Sequence, residues 1–257
     1  MADGCWNPDQ YERYRRERAQ PFFDLLGLVQ RRPGMAVIDL GCGTGELTRL
    51  LHRDLQARTT VGIDNSDTML RRAATINEPG LQFVRADIDA FTPDDAVDLV
   101  FSNAALHWVE DHPTLLRRWT DRLQPGGQLA VQVPANDDHP SHRTALDVAA
   151  EEPFRSALGG YRRLPNVLPP HEYASLLFDL GYGAQLVRQQ VYGHLLGSRD
   201  DIVEWVKGTT LVDYQQRLSA DLFAHFLVRY RGALFAQLPD RRPFFYTFKR
   251  LLFWGKR

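Results

Sequence analysis

Val37-Ile38-Asp39-Leu40-Gly41-Cys42-Gly43-Thr44-Gly45-Glu46 decides the fold: an apolar run closing on an acid gives way to three glycines at alternate positions. An apolar run of this length bounded by glycine reads as a buried strand, and Glu46-Leu47-Thr48-Arg49-Leu50-Leu51 opens a helical pattern. The stretch is therefore a strand, a tight turn and a helix. Glycine suits such a turn because its backbone angles penalise a side chain, and because bare backbone lets a ligand approach the start of the helix.

The same unit recurs downstream. Thr59-Thr60-Val61-Gly62-Ile63-Asp64 is a β-branched strand ending in an acid, and Ser66 or Asp67 can cap a helix through Met69, Leu70 and Ala73. Leu81 to Asp87 and Val97 to Asn103 repeat the pattern; a helix from Pro113 to Leu123, the turn Gln124-Pro125-Gly126-Gly127 and a strand from Gln128 to Val133 follow. Such alternation predicts an α/β fold with a mostly parallel sheet, right-handed crossovers and a ligand crevice beyond the strands' carboxyl ends. Upstream, residues 1–20 read as a charged surface helix, with Pro21 a kink or a fresh start before the apolar helix Phe22 to Leu28. Beyond Pro134 the alternation stops. Helices are expected at 141–152, 171–180, 200–207 and 220–238, and strands at 185–196 and 244–254. The last two strands should complete the sheet, with the helices between 135 and 240 forming a cap over the crevice. The expected division is residues 1–30 as a flap and helix over the ligand, 31–134 as the binding core, and 135–257 as the remaining strands plus cap of the same domain.

A chain of 257 residues can bury one substantial core, and a formal charge of −1 with interspersed acids and bases argues against nucleic acid or an anionic membrane as the main partner. Met1-Ala2-Asp3-Gly4 lacks the features of a signal peptide and no run is long enough to span a bilayer, so a cytoplasmic protein is expected. Cys5 and Cys42 are not expected to pair. His139 and His142 lie three apart but have no further partner at metal-ligand spacing, so no metal is expected.

The glycine turn could serve a dinucleotide or S-adenosylmethionine. A dinucleotide turn places its third small residue three positions after the second glycine and faces a pyrophosphate. Here the third glycine comes two positions after the second, and Glu46 puts a carboxylate where the pyrophosphate would approach. S-adenosylmethionine carries no phosphate and is a sulfonium cation, so acids are compatible with it. Asp64 suits the two ribose hydroxyls, and Asp87 the adenine amino group.

At these residues the chain resembles the class I, Rossmann-like, S-adenosylmethionine-dependent methyltransferases. Asp39 to Gly45, Asp64, Asp87 and Leu123-Gln124-Pro125-Gly126-Gly127 carry that likeness over the first half. A closer resemblance, over most of the chain, is to the trans-aconitate 2-methyltransferase family. It rests on Trp6-Asn7-Pro8 with Tyr11, Glu17-Arg18 before Pro21, Ile63-Asp64-Asn65-Ser66 with Met69, and Asn103-Ala104-Ala105-Leu106-His107-Trp108 with Asp111-His112. Trp205-Val206, Arg229-Tyr230 and Phe248-Lys249-Arg250-Leu251 extend it. The resemblance implies a seven-stranded sheet with a cap, and esterification of one carboxylate of a small tricarboxylic acid. It assigns cofactor contacts to Trp6, Tyr11, Arg18, Asp39, Gly41, Gly43, Asp64, Asn65, Met69, Asp87, Ile88 and Asn103, with Trp6 to Arg18 as a flap. Two positions depart from it: Gln20, and Leu211-Val212-Asp213, stand where some relatives carry arginine.

A carboxylate with a pKa near ~4 is already ionised at neutral pH and needs no base. His107, directly after the fourth strand, is therefore expected to position the acceptor rather than deprotonate it. Trp108 and Arg143 are candidate acceptor contacts, with Arg18, Arg162 and Arg163 as further partners for carboxylates. Methyl transfer to another small-molecule oxygen or nitrogen, a non-catalytic cofactor sensor, and a dinucleotide dehydrogenase are the alternatives.

Overall fold

The computed structural model describes residues 15–163 and 165–257, and side chains from residue 19 onward in the first helix. Trp6 and Tyr11, and the side chain of Arg18, lie outside the described residues. In chain order the elements are α1 (Arg15–Leu26), β1 (Ala36–Leu40), α2 (Glu46–Asp54), β2 (Thr59–Asp64), α3 (Asp67–Ala73), β3 (Leu81–Arg85), β4 (Val97–Asn103), a 3-10 turn (Leu106–Trp108), α4 (His112–Thr120) and β5 (Leu123–Pro134). There follow α5 (Pro140–Ala149), α6 (Phe154–Ala157), α7 (Pro170–Asp179), β6 (Ala184–Leu196), α8 (Asp200–Lys207), α9 (Val212–Arg217), α10 (Ala220–Phe235) and β7 (Phe244–Lys256).

Two compact units emerge. One comprises Arg16–Ala135, Asn166–Gln190 and Arg250–Arg257; the other contains Asn136–Pro165 and Val191–Lys249. The strands form one sheet in the order β3-β2-β1-β4-β5-β7-β6. β1 to β5 pair in parallel and β7 runs antiparallel to β5. The central strands β1 and β4 are buried along nearly their whole length, which is why they read as continuous apolar runs.

Helices pack on the first unit's sheet through side chains at helical spacing. α4 buries Leu115, Leu116 and Trp119, and α7 buries Tyr173 and Leu177, in one cluster with Ile38, Leu40, Val100, Leu129, Val131 and Phe253. Each such side chain contributes roughly 1.5–3 kcal/mol on burial, so this cluster holds the strand ends in fixed register. In the second unit, Trp205, Tyr214, Phe226, Tyr230 and Tyr246 lie in a separate aromatic core, and the Tyr230 hydroxyl donates to the Ser141 carbonyl at 2.7 Å.

Several boundaries differ from the sequence reading. α1 runs unbroken through Pro21, so Pro21 is neither a fresh start nor the end of a helix. α4 stops at Thr120, and β5 starts at Leu123. Val97 pairs with Leu123 while Leu99 pairs with Gln128, so the Gln124-Pro125-Gly126-Gly127 turn is an excursion inside β5. α6 and α9 are additional short helices within stretches whose punctuation by Pro and Gly hid them. β3 ends at Arg85, which leaves Asp87 on the turn beyond the strand. No helix among the described residues is long and apolar enough to cross a membrane.

Candidate functional site

The glycine turn hangs on β2: the Gly41 and Cys42 amides both donate to the Ile63 carbonyl, at 2.8 and 2.9 Å. Its three glycines are left-handed, at φ of 79°, 55° and 76° for Gly41, Gly43 and Gly45. They do different work. A Cβ on Gly41 would sit 2.1 Å from the Ala105 Cβ, and one on Gly45 would sit 2.6 Å from the Phe83 ring. Those two glycines let β1 and α2 close on their neighbours. Among the described residues, a Cβ on Gly43 would meet nothing within 4 Å. Gly43 is thus where the bare backbone faces open space. Cys42 packs against Gly62, its free thiol buried and its pKa pushed up by burial, so its small size is the property in use.

Carboxylates stand behind and beside this turn. Asp39 is buried and its Oδ2 accepts the Thr48 hydroxyl at 2.6 Å. Burial raises its pKa to about 7; the Thr48 bond opposes that shift and the Asp64 charge adds to it. Asp64 accepts the Gly43 amide on Oδ2 and the Ser66 amide on Oδ1, both at 2.9 Å. Each oxygen keeps a lone pair for a further donor, so the carboxylate is fixed in orientation yet still able to accept. Asn65 donates to Asp87 Oδ1 at 2.9 Å, tying the ends of β2 and β3 together beside a depression of about 470 Å³ lined by Asn65, Arg85, Ala86 and Asp87. Met69 is half-buried on α3, its amide capped by the Ser66 hydroxyl, and Ile88 is half-buried with its carbonyl accepting from Arg118.

At the end of β4, Asn103 Oδ1 is buried and has no hydrogen-bond partner among the described residues. The 3-10 turn that follows carries His107, half-buried, and Trp108, 54% exposed, with ring centroids 4.8 Å apart. Trp108 is therefore not a core residue. Buried His112 fixes this turn. Its Nε2 donates to the Leu106 carbonyl at 2.8 Å, which leaves Nδ1 to accept from the Tyr173 hydroxyl. Burial lowers the His112 pKa and keeps the imidazole neutral, while the Tyr173 ring stacks on Phe253 at 4.4 Å.

The arginine candidates separate. Arg143 and Arg162 are exposed. Arg163 is half-buried in the second unit, 3.4 Å from Asp213 and donating to the Thr210 carbonyl at 3.2 Å. Asp213 belongs to the departing Leu211-Val212-Asp213 stretch, so that stretch supplies an acid that engages Arg163. His139 and His142 share the Ser141 hydroxyl at 2.9 and 3.0 Å. Sequence reasoning missed Thr48, the His112–Tyr173 pair, and two glutamines on β5. Gln128 and Gln132 interrupt the apolar strand Leu129–Val133 at a spacing of four, and that interruption was the available signal.

Residues 38–131 match the methyltransferase domain family model. A trans-aconitate 2-methyltransferase of Deinococcus radiodurans is 43% identical, over 98% of both chains. One of Variovorax paradoxus is 40% identical over 92% of this chain and 91% of its own. Among solved structures, an S-adenosylmethionine-dependent methyltransferase from Mesorhizobium loti aligns with TM-score 0.52 at 23% identity, over 93% of this chain and 98% of that one. The YcgJ protein of Bacillus subtilis aligns with TM-score 0.61 at 15% identity, over 93% and 98%, and shares the fold. The sheet order, the glycine turn and these likenesses define a class I methyltransferase that uses S-adenosylmethionine. Within that class, the chain belongs to the trans-aconitate 2-methyltransferase family.

The residues present fit that cofactor. Open space at Gly43, two spare lone pairs on Asp64 and the orphaned Asn103 Oδ1 together suit a ribose and an α-ammonium group.

Proposed function

We propose that the protein methylates a carboxylate of a small tricarboxylic acid, trans-aconitate, giving a methyl ester. The observation that carries this reading is full-length likeness to several trans-aconitate 2-methyltransferases. The reading includes a small-molecule acceptor instead of nucleic acid or membrane, which the near-zero charge supports, and a cytoplasmic setting.

When bound, the cofactor supplies an electrophilic methyl group on a sulfonium. Asp64 orients the ribose hydroxyls and Asn103 Oδ1 accepts from the α-ammonium. Asp87, held by Asn65, meets the adenine edge beside Ile88 and Met69. Trp6, Tyr11 and Arg18 are proposed to complete the cofactor's enclosure. Because the acceptor carboxylate is ionised at neutral pH, the protein has no proton to remove. Its task is to hold donor and acceptor in line, and such positioning lowers barriers by roughly 7–11 kcal/mol. His107 and Trp108 are proposed to orient the acceptor. As opposite charges neutralise in the transition state, exclusion of water favours the reaction over the separated ions.

An assay for S-adenosylhomocysteine release across di- and tricarboxylic acids tests the proposal. Turnover concentrated on trans-aconitate supports it. Silence across the acids with turnover of phenols or amines would instead make His107 the natural base.

A further inference from the structure

β5 carries two buried glutamines on one face, and they are treated differently. Gln128 is fully engaged: its Oε1 accepts the Gln30 amide at 2.8 Å and the Trp254 indole at 2.9 Å, and its Nε2 donates to the Gln30 carbonyl at 2.8 Å. Gln132, four residues on and 1% exposed, accepts from Arg250 Nη1 on Oε1 at 3.3 Å, but its Nε2 has no partner among the described residues. Turning the amide over would not help, because a guanidinium can only donate and needs the oxygen where it is. A buried orphan donor is destabilising, so its retention calls for a ligand acceptor.

Position says which ligand. Gln132 pairs with Asn103 across the β4–β5 ladder and sits diagonally from buried Arg250 on β7, at the carboxyl end of the parallel strands. Asn103 offers an acceptor, whereas Gln132 and Arg250 offer an N–H donor and a positive charge. That chemistry recognises a carboxylate, and it lies one strand beyond the residue assigned to the cofactor's ammonium.

We propose that Gln132, backed by Arg250, is a specificity-determining contact for a non-reacting carboxylate of the acceptor. This rests on the proposed carboxylic-acid acceptor. The competing source of the same chemistry is the cofactor's own carboxylate.

Calorimetry separates them. Trans-aconitate is titrated into full-length protein saturated with S-adenosylhomocysteine, for wild type and Gln132→Leu, alongside itaconate, mesaconate and glutaconate, each of which lacks one of its carboxylates. Gln132→Leu removes the orphan donor together with the oxygen that Arg250 donates to, so a lower melting temperature is expected, and affinities are compared at a temperature where both proteins are folded, with S-adenosylhomocysteine binding as the check on the fold. Expected is at least a tenfold weaker trans-aconitate affinity with unchanged S-adenosylhomocysteine affinity. One of the three dicarboxylates, the one missing the carboxylate held here, should bind wild type and variant equally. Equal weakening of all four acids, or of none, overturns the inference, as does a loss that appears in S-adenosylhomocysteine affinity. If wild type turns over trans-aconitate and the variant binds it unchanged, this inference alone fails. If wild type binds no acid and methylates a phenol or amine, the acceptor reading has failed and this contact falls with it.

Discussion

The two halves of one sheet edge differ in what they leave unsatisfied. At the ends of β1, β2 and the turn after β3 stand three acids, each with a partner: Asp39 with Thr48, Asp64 with two backbone amides, Asp87 with Asn65. At the ends of β4 and β5 stand two amides with an orphaned atom each, on Asn103 and Gln132, beside the guanidinium of Arg250. The acid half is organised in advance, so its spare lone pairs are held in set directions. The amide half keeps unmet hydrogen-bonding capacity that a small polar ligand can satisfy. On the proposed roles, the cofactor contacts run from the acids as far as Asn103, and the acceptor contact begins one strand further on, at Gln132.

Substitutions should respect that division. Asp64→Ala removes the ribose acceptor and both turn ties, and at about 1.5–3 kcal/mol per charge-assisted bond it should weaken S-adenosylhomocysteine about 100-fold or more by calorimetry, with trans-aconitate KM little changed at saturating cofactor. Gly43→Ala is the gentler probe. A Cβ there meets no atom of the described residues within 4 Å, so the folding cost should be only the left-handed strain of about 1–2 kcal/mol, while cofactor affinity falls about tenfold. The same change at Gly41 should compromise folding itself, because Ala105 occupies the space. Equal loss of cofactor affinity and thermal stability at both glycines would erase the distinction drawn between them.

Beyond Asn103 the expected effects are smaller and fall on the acceptor. His107→Gln should lower kcat by less than about tenfold with no new acid limb in the pH–rate profile, since a general base contributes ~10²–10⁴. A loss of 100-fold or more would show that a proton is being removed after all.

The mildest effect is on pH. Asp39's folded pKa is raised to about 7 from 3.8, so the stability linked to its proton is fully present below pH 3.8 and is lost as pH rises through 7. A bound cation favours the carboxylate, so cofactor binding should release a proton. S-adenosylmethionine affinity should then rise by up to about tenfold per pH unit below 7 and level off above it, and Asp39→Asn should flatten both profiles. An unchanged slope in that variant would remove Asp39 from the linkage.

The acid half was legible in the sequence because its logic is local. Glycines at fixed spacing and acids at successive strand ends declare themselves one strand at a time, and Asp39, Asp64 and Asp87 could be read without any long-range contact. The amide half was not. Gln132 acquires meaning only when β7 returns antiparallel and sets Arg250 beside it, and His112 only when Tyr173 arrives from α7. Likewise, the glycine-rich turn at Gln124 to Gly127 looks like the end of a connection but is an excursion within a strand, because β4 keeps pairing on both sides of it. Arg143 looked equal to Arg163 in the sequence; burial and the pairing of Arg163 with Asp213 separate them.

The central claim, methyl transfer from a sulfonium to a carboxylate oxygen, is tested most directly by following the methyl group itself. With S-adenosylmethionine carrying a ¹³C-methyl group and trans-aconitate in excess, the account predicts a single new ester methoxy carbon resonance, formed one-for-one with S-adenosylhomocysteine and lost on mild alkaline hydrolysis. A label that stays on the cofactor in the presence of every acid, or that moves to a phenol or amine in their place, would contradict it.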